Sequence, residues 1–352
     1  MKNPLVSILI PTYNQPEYFR QALESALNQT YPNIEIIVSD DSTDDRVKNV
    51  FDEYKNCGRK IQYLKHGGYT NESTGERSLA NMENLLRHAR GEFVNILFHD
   101  DLIYPSKISK MMKFFTGKKR NKIAIVSSTR NVIDNNGKIL KTEDFVEKFN
   151  LYDGKDSILL TSDEVGQMIL LLCGNFIGEL STVLIRRKDF YRDCVKKLSP
   201  GYFLGVRDRA MWDISTYLEA CKDGRGLIFI REPLSAFRMA GGNQNTYNGN
   251  LRIDLIVDWL AFITTAYVND VYIHNFPEFS VACDYWHFIV AEMMQFFKDF
   301  PNTTLNVDSD LLDQVMQAVE AVEQKNFDEI LKIGIDWIKR FSKYTFEMRK
   351  LS

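Results

Sequence analysis

The sequence is poor in the residue patterns that several kinds of chemistry require. Its five cysteines, Cys57, Cys173, Cys194, Cys221 and Cys283, lie far apart, with no CxxC pair. That argues against a zinc ribbon and against a disulfide framework, and it fits a reducing cytosol. The five histidines are scattered, with no HExxH. No stretch approaches the roughly 20 apolar residues of a membrane-spanning helix: the run at 168–173 is too short, and the run at 255–268 contains Asp258. The first residues lead straight into a strand pattern without the apolar stretch of a signal peptide. An excess of positive charge is also missing. Lys+Arg 44 against Asp+Glu 47 gives a formal charge of −3, so no nucleic-acid partner is expected. Together these absences point to a cytoplasmic protein.

What is present is ordinary globular material. The chain has 352 residues, 44% hydrophobic, enough for two domains or for one large domain with an appendage. Its first half alternates strands and helices. Residues 5–10 (LVSILI) form a short apolar run stopped by Pro11, as in a buried parallel strand. Pro16 opens a helix whose Phe19, Ala22, Leu23, Ala26 and Leu27 share one face. Strands are expected at 34–38, 60–65 and 93–98, with helices at 43–54, 78–89 and after Pro105. This rhythm predicts an α/β fold with an open, largely parallel sheet flanked by helices, which binds ligands at the carboxyl ends of its strands. Further strands are expected at 123–134, 177–187 and 227–237, with a helix at 210–221. After about residue 247 only helical patterns follow, at 251–268, 279–300, 309–323 and 327–351. The expected division is 1–247, with halves 1–120 and 121–247, and an all-α extension over 248–352.

Three polar clusters follow strands 1, 2 and 4: Pro11-Thr12-Tyr13-Asn14, then Ser39-Asp40-Asp41-Ser42-Thr43-Asp44, then His99-Asp100-Asp101. The second suits a nucleotide base and ribose, because a carboxylate can accept the N3–H of uracil. The third suits a hard divalent cation, since Mg²⁺ or Mn²⁺ takes oxygen ligands from one or two carboxylates and from substrate phosphates. Each acidic run taken singly also reads as a helix N-cap. Their joint placement on one sheet edge favours a site.

The sequence resembles the inverting, nucleotide-sugar-dependent glycosyltransferases of family 2, which have the GT-A fold. The resemblance is carried by VSILIPTYN (6–14), SDDSTDD (39–45), GEFVNILFHDDLIYP (91–105), RDRAMW (207–212) and EPLSAFR (232–238). It implies that Pro11, Thr12 and Tyr13, with Asn14 and Ser42, lie about the donor base. It makes Asp40 the uracil-contacting acid and Asp100 the metal ligand, with Asp101 beside the sugar. Phe98 and His99 replace the earlier positions of the family's acidic metal motif. Asp208, four residues before Trp212, matches the catalytic base, with Arg207 in place of the usual preceding acid. Asn81 falls near the family's Ala-Arg-Asn element, where Ala80 replaces the arginine and Arg77 is close by. Arg238 matches an arginine that approaches the diphosphate, and Gly241-Gly242-Asn243 after it could form a lid. Glu179 and Ser181 fall where the donor sugar or the acceptor lies.

The implied reaction moves a sugar from a UDP-sugar, with Mg²⁺ or Mn²⁺, to a hydroxyl of a glycan, lipid-linked or protein-linked acceptor. The C-terminal helices are expected to pack on the catalytic part and to form a homo-oligomer. The last one is amphipathic and basic (Lys332, Lys339, Arg340, Lys343, Arg349, Lys350), compatible with peripheral contact at a membrane's inner face. The rival reading is a non-catalytic nucleotide-sugar-binding or scaffold subunit, suggested by Phe98 and Arg207. A sugar nucleotidyltransferase would need a glycine-rich phosphate loop after strand 1, and 11–16 contains no glycine.

Overall fold

A computed structural model describes residues 3–66, 74–117, 120–144, 146–147, 151, 154–208, 210–239, 249–274, 276–299 and 309–341. The segment 241–243 and residues 342–352 therefore lie outside the described residues, as do the side chains of residues 292–300 and of Arg340.

The apolar run at the N-terminus becomes β1 (Val6–Thr12), buried along its whole length. It pairs in parallel with β2 (Ile34–Asp40) on one side and β4 (Phe93–Ile96) on the other, and β2 pairs in parallel with β3 (Lys60–Lys65). The crossovers are α1 (Pro16–Leu27), α2 (Arg46–Tyr54) and α3 (Thr74–His88). Proline at the start of α1 is tolerated because its missing N–H would have no helical partner there. Beyond β4 the sheet is mixed. β9 (Leu184–Arg186) runs antiparallel between β4 and β6 (Ile123–Ile133), and β14 (Gly226–Arg238) lies parallel to β6. Strand order in the main sheet is β3-β2-β1-β4-β9-β6-β14-β5, where β5 is Leu102–Ile103. β7 (Ile139–Glu143) and β8 (Ser157–Leu160) pair with β6 and β14.

Two hydrophobic clusters sandwich this sheet. One takes α1, α2 and α4 (Lys107–Thr116), through Phe19, Leu23, Phe51, Met111 and Phe115. The other takes α3, α5 (Ser162–Leu171), α6 (Trp212–Cys221) and the C-terminal helices α7 (Gly249–Val268), α8 (Phe276–Asp299), α9 (Ser309–Glu323) and α10 (Phe327–Phe341). Trp259, Phe262, Trp286 and Trp337 thus share one core with Leu79 and Leu86 of α3. Burying such side chains stabilises by about 1.5–3 kcal/mol each.

Most of the expected elements appear within a few residues of their expected ends, with one clear exception. The segment 177–187 is not a continuous strand. Gly178 takes φ 95°, a 3₁₀ turn occupies Leu180–Thr182, and three residues of β9 follow. The turn brings the Ser181 hydroxyl to the Phe98 N–H, 3.0 Å away. α5 is an element that hydrophobic runs alone did not expose. Its N-terminus is a capping box in which Thr161 and Glu164 satisfy each other's backbone N–H.

Candidate active site

Because β1, β2 and β4 are parallel neighbours, their carboxyl ends open on the same edge of the sheet. Pro11, Thr12 and Tyr13 from β1, Asp41 after β2, Arg77, Ser78, Asn81 and Met82 from α3, and Phe98 and His99 after β4 line a cavity of about 120 Å³ there. Its polar lining is prepared for a ligand. Among the described residues the buried Thr12 Oγ1 and Asn81 Oδ1 have no hydrogen-bond partner, and an unmet buried acceptor or donor costs about 1–3 kcal/mol. The Asn81 amide nitrogen is held by Ser39 O at 3.1 Å, which aims the side chain. The Arg77 guanidinium lies 5.5 Å from the Tyr13 ring centroid, in the range of a cation–π contact.

The two aspartates after β2 have different surroundings. Asp40, expected against the base, is fully buried and engaged by the protein. Its Oδ1 accepts from Ser42 N at 2.8 Å, and its Oδ2 accepts from the Tyr63 hydroxyl and from Lys65 Nζ at 3.4 Å. It lies at the end of β2, in register with Lys65 of β3, and its carboxylate meets side chains of that strand. Asp41 faces the cavity instead. Its Oδ1 lies 2.8 Å from His66 Nδ1, and burial raises its pKa while the His66 hydrogen bond lowers it. Asn14 and Ser42 join the two loops: Asn14 N donates to Ser42 Oγ (2.8 Å), and Thr43 N donates to Asn14 Oδ1 (2.9 Å). Asn14 sits at φ 53°, a region that asparagine tolerates better than most residues.

After β4 the chain turns through His99, Asp100 and Asp101. Asp100 keeps partial exposure, whereas Asp101 is buried, its Oδ1 accepting from Arg238 N at 3.1 Å. Burial and the charge of Asp100 push the Asp101 carboxyl up to about 7. Burial also holds the His99 ring below its ordinary pKa, which favours neutral imidazole. Arg238, expected near a diphosphate, is a fully buried strut. It donates to the Asp100 carbonyl (2.8 Å), to the Asp134 and Asn135 carbonyls (2.8 and 3.0 Å) and to Gln21 Oε1 (2.8 Å), and it stacks on Tyr18. It therefore fixes the loop that carries Asp100. Among the described residues no three His, Cys, Asp or Glu side chains gather as a metal cluster. A cation at this edge would take the Asp100 carboxylate and draw further oxygens from a diphosphate and water, a donor set that suits Mg²⁺.

Asp208 is placed by a different device. β12 (Tyr202–Phe203) and β13 (Val206–Arg207) form a two-residue hairpin whose turn, Leu204-Gly205, has φ 47° and 85°. Two positive φ values suit the right-handed twist of a tight hairpin. Asp208 follows directly, its N–H bonded to Gly201 O at 3.1 Å. Gly201 itself has φ 83°, and a Cβ there would press on Trp212 at 3.1 Å. The Asp208 carboxylate is buried. Its Oδ2 accepts from Ser215 Oγ in the first turn of α6, and its Oδ1 has no hydrogen-bond partner among the described residues. Burial pushes this carboxyl up to about 7, with the Ser215 hydrogen bond opposing. That value suits a group that takes a proton near neutral pH. Asp213, one residue after Trp212, is raised to about 6 by burial and is held by the Asn175 amide at 2.6 Å.

The C-terminal helices reach this hairpin. Asp258 of α7 is buried and accepts from Ala210 N at 2.9 Å, two residues after Asp208. Phe203 of the hairpin meets Phe262 edge-on at 6.1 Å and stacks with Tyr272 at 6.3 Å. Glu179 forms an ion pair with Arg130, and Ser181 is fully buried as a scaffold for the Phe98 loop. In the sequence Asp41 stands out only as part of the second polar cluster, His66 not at all, and Asp258 only as a charge interrupting an apolar run; for Asp258 the available signal is a carboxylate inside the otherwise apolar stretch 255–268.

Residues 7–176 match the family model described as Glycosyl transferase family 2. An uncharacterized glycosyltransferase of Rickettsia typhi is 40% identical over 132 residues, 38% of this chain and 38% of that protein. The chain matches between 21% and 38% of the length of its first Rickettsia relatives. Among solved structures, S. aureus TarS 1–349 in complex with UDP-GlcNAc aligns with TM-score 0.55 at 13% identity, over 97% of this chain and 93% of that one. The mannosyltransferase PcManGT from Pyrobaculum calidifontis, in complex with GDP-Man and Mn²⁺, aligns with TM-score 0.52 at 14% identity, over 96% and 87%. The architecture is the GT-A fold, and residues 7–176 are the part of the chain that matches the family 2 glycosyltransferases.

Proposed function

We propose that this glycosyltransferase transfers a sugar, with inversion, from a UDP-sugar to a hydroxyl of a surface glycan or glycoprotein acceptor. The observation that carries the reading is the pairing of a polar cavity at the ends of β1, β2 and β4 with a buried, one-sided carboxylate at Asp208. Asp41 accepts the N3–H of uracil, Asn81 and Thr12 supply the unmet polar atoms, and Tyr13 covers the base. The nucleotide sugars bound by TarS and by the mannosyltransferase support a nucleotide-sugar donor on this fold.

Inverting transfer is one displacement at the anomeric carbon. Asp208 Oδ1 takes the acceptor hydroxyl's proton as the new glycosidic bond forms, while the bond to the diphosphate breaks. A general base of this kind contributes about 10²–10⁴-fold. A divalent cation held by Asp100 would supply charge neutralisation on the leaving diphosphate. Arg238 holds the Asp100 loop in place, and Ser215 orients the Asp208 carboxylate. The experiment is a thermal-shift and turnover screen of UDP- and GDP-sugars with Mn²⁺. Selective stabilisation by UDP-sugars, with UDP release, is the expected result. Binding without turnover for every donor would favour a non-catalytic scaffold subunit instead.

The α8 helix exposes Val281, Tyr285 and Phe288, the last at 61%, on one stripe. This supports self-association through the C-terminal helices. Sedimentation velocity tests it, since Phe288→Asp should shift the chain to a smaller species. Among the described residues no helix is long and apolar enough to cross a membrane.

A further inference from the structure

A second groove, about 700 Å³, lies on the other side of α3 from the donor cavity. Its walls are α3, the 3₁₀ turn Arg187–Phe190 and the hairpin of β10 (Tyr191–Arg192) and β11 (Lys197–Leu198). Four cations line it, Arg87, Arg187, Lys188 and Lys197, against one carboxylate, Glu83. Glu83 is already engaged, by Lys197 Nζ at 2.6 Å and by the Ser199 hydroxyl at 2.6 Å. Among the described residues the other three cations have no carboxylate: Arg87 donates to Asn84 Oδ1, Arg187 to Gly91 O, and the Lys188 side chain has no partner there. In a chain of net charge −3 such a concentration is a local feature.

The groove adjoins both halves of the proposed site. His66 lines it and is bonded to Asp41, which lines the donor cavity. Lys197 and Leu198 line it, and three residues further Gly201 holds the Asp208 N–H. The positive surface also continues past Arg187 and Lys188 into a neighbouring groove of about 680 Å³, which adds the exposed Arg120 and one carboxylate, Glu92, while Arg186 beneath it is buried and donates to the Ile123 and Arg120 carbonyls. Cations spread over two grooves suit several phosphates along a chain better than one diphosphate. Arginine is suited to phosphate oxygens through its fork of donors. Tyr191, 47% exposed on the wall, offers a flat face to a sugar ring.

We infer that the groove between α3 and the β10–β11 hairpin is the acceptor track, and that the acceptor it takes is a glycan carrying phosphates along its chain. This rests on the glycosyl-transfer reading above. The test uses the full chain and a dye-labelled glycerol phosphate hexamer, a simple phosphodiester chain, followed by anisotropy at low salt. The hexamer should bind, an uncharged dextran oligomer should not compete, and Arg187→Glu with Lys188→Glu should weaken binding at least about tenfold. Arg87→Glu, on the opposite wall, should weaken it as well and serves should the double variant not fold. Lys138→Glu, exposed on the β6–β7 turn, should leave hexamer binding within about twofold. No hexamer binding, or equal binding by the groove variants, overturns the inference. Sedimentation with phosphatidylglycerol vesicles in the absence of hexamer binding also overturns it, in favour of a membrane surface. UDP titrated into the same sample separates the two readings. UDP binding without hexamer binding removes the groove's role alone. Hexamer binding without UDP binding removes the donor reading and, with it, the groove's role as an acceptor track.

Discussion

The donor edge and the hairpin that carries Asp208 are held rigid in different ways. At the donor edge the sheet does the positioning. Parallel strands end in register, and short loops are tied by Asn14, Ser42, Asp40 and Arg238. Asp208 instead follows a hairpin that is not part of the main sheet. This two-residue hairpin is held by α6 and α7, through Ser215, Asp258 and the ring of Phe262, and by Tyr272 just after α7. The lesson is that the C-terminal helices, which resemble an appendage in sequence, support the proposed base. Donor binding and proton removal should therefore be separable by mutation.

The largest expected effect is on turnover. Asp208→Asn should lower transfer by about 10²–10⁴-fold, read as sugar transfer or UDP release; wild-type turnover in that variant would remove Asp208 from the chemistry. Next comes the strut of the donor edge. Arg238→Met removes a buried guanidinium from four part-buried acceptors and should cost about 3 kcal/mol of stability, read by urea unfolding. A variant of normal stability with a specific loss of UDP affinity would return Arg238 to the diphosphate. On the other side, Asp258→Ala removes a charged hydrogen bond of about 1.5–3 kcal/mol. It should lower turnover while UDP affinity is retained, and equal loss of both would undo the separation.

A smaller effect concerns pH. The Asp208 carboxyl is raised to about 7 by burial, so its ionised, proton-accepting form grows as pH rises through about 7, and transfer should rise with it. Stability should move the other way. Between the unfolded carboxyl's pKa, about 4, and about 7, the folded state binds the extra proton, so this group's contribution is full at low pH and is lost as pH rises. Both slopes should flatten in Asp208→Asn, measured by rate and by unfolding at pH 5 and pH 8. A pH profile of transfer that is unchanged by Asp208→Asn would assign the titration to another group.

Much of the donor edge was legible in the sequence because it depends on short-range order. A buried apolar strand followed by a polar cluster fixes which residues reach a parallel sheet's carboxyl edge, as Pro11, Thr12 and Tyr13 do. Which of Asp40 and Asp41 lines the cavity was not legible, because it depends on long-range contacts: Asp40 is engaged by Tyr63 and Lys65 of the neighbouring strand β3, whereas Asp41 lines the cavity. Arg238 could be placed at a strand end, but its direction depends on long-range carbonyls at Asp134 and Asn135. Asp258 is the extreme case. Its partner, Ala210 N, is 48 residues away in sequence, and a carboxylate within a largely apolar helix carries no sign of what it caps.

The separation of donor binding from proton removal is tested most directly by UDP affinity, measured calorimetrically with Mn²⁺, in two single variants. Asp41→Asn should weaken UDP by about tenfold or more, since it removes a charged acceptor from the cavity, while Asp208→Asn should bind UDP within about twofold of the unmodified chain. Unchanged affinity in Asp41→Asn, or a comparable loss in Asp208→Asn, would contradict the account.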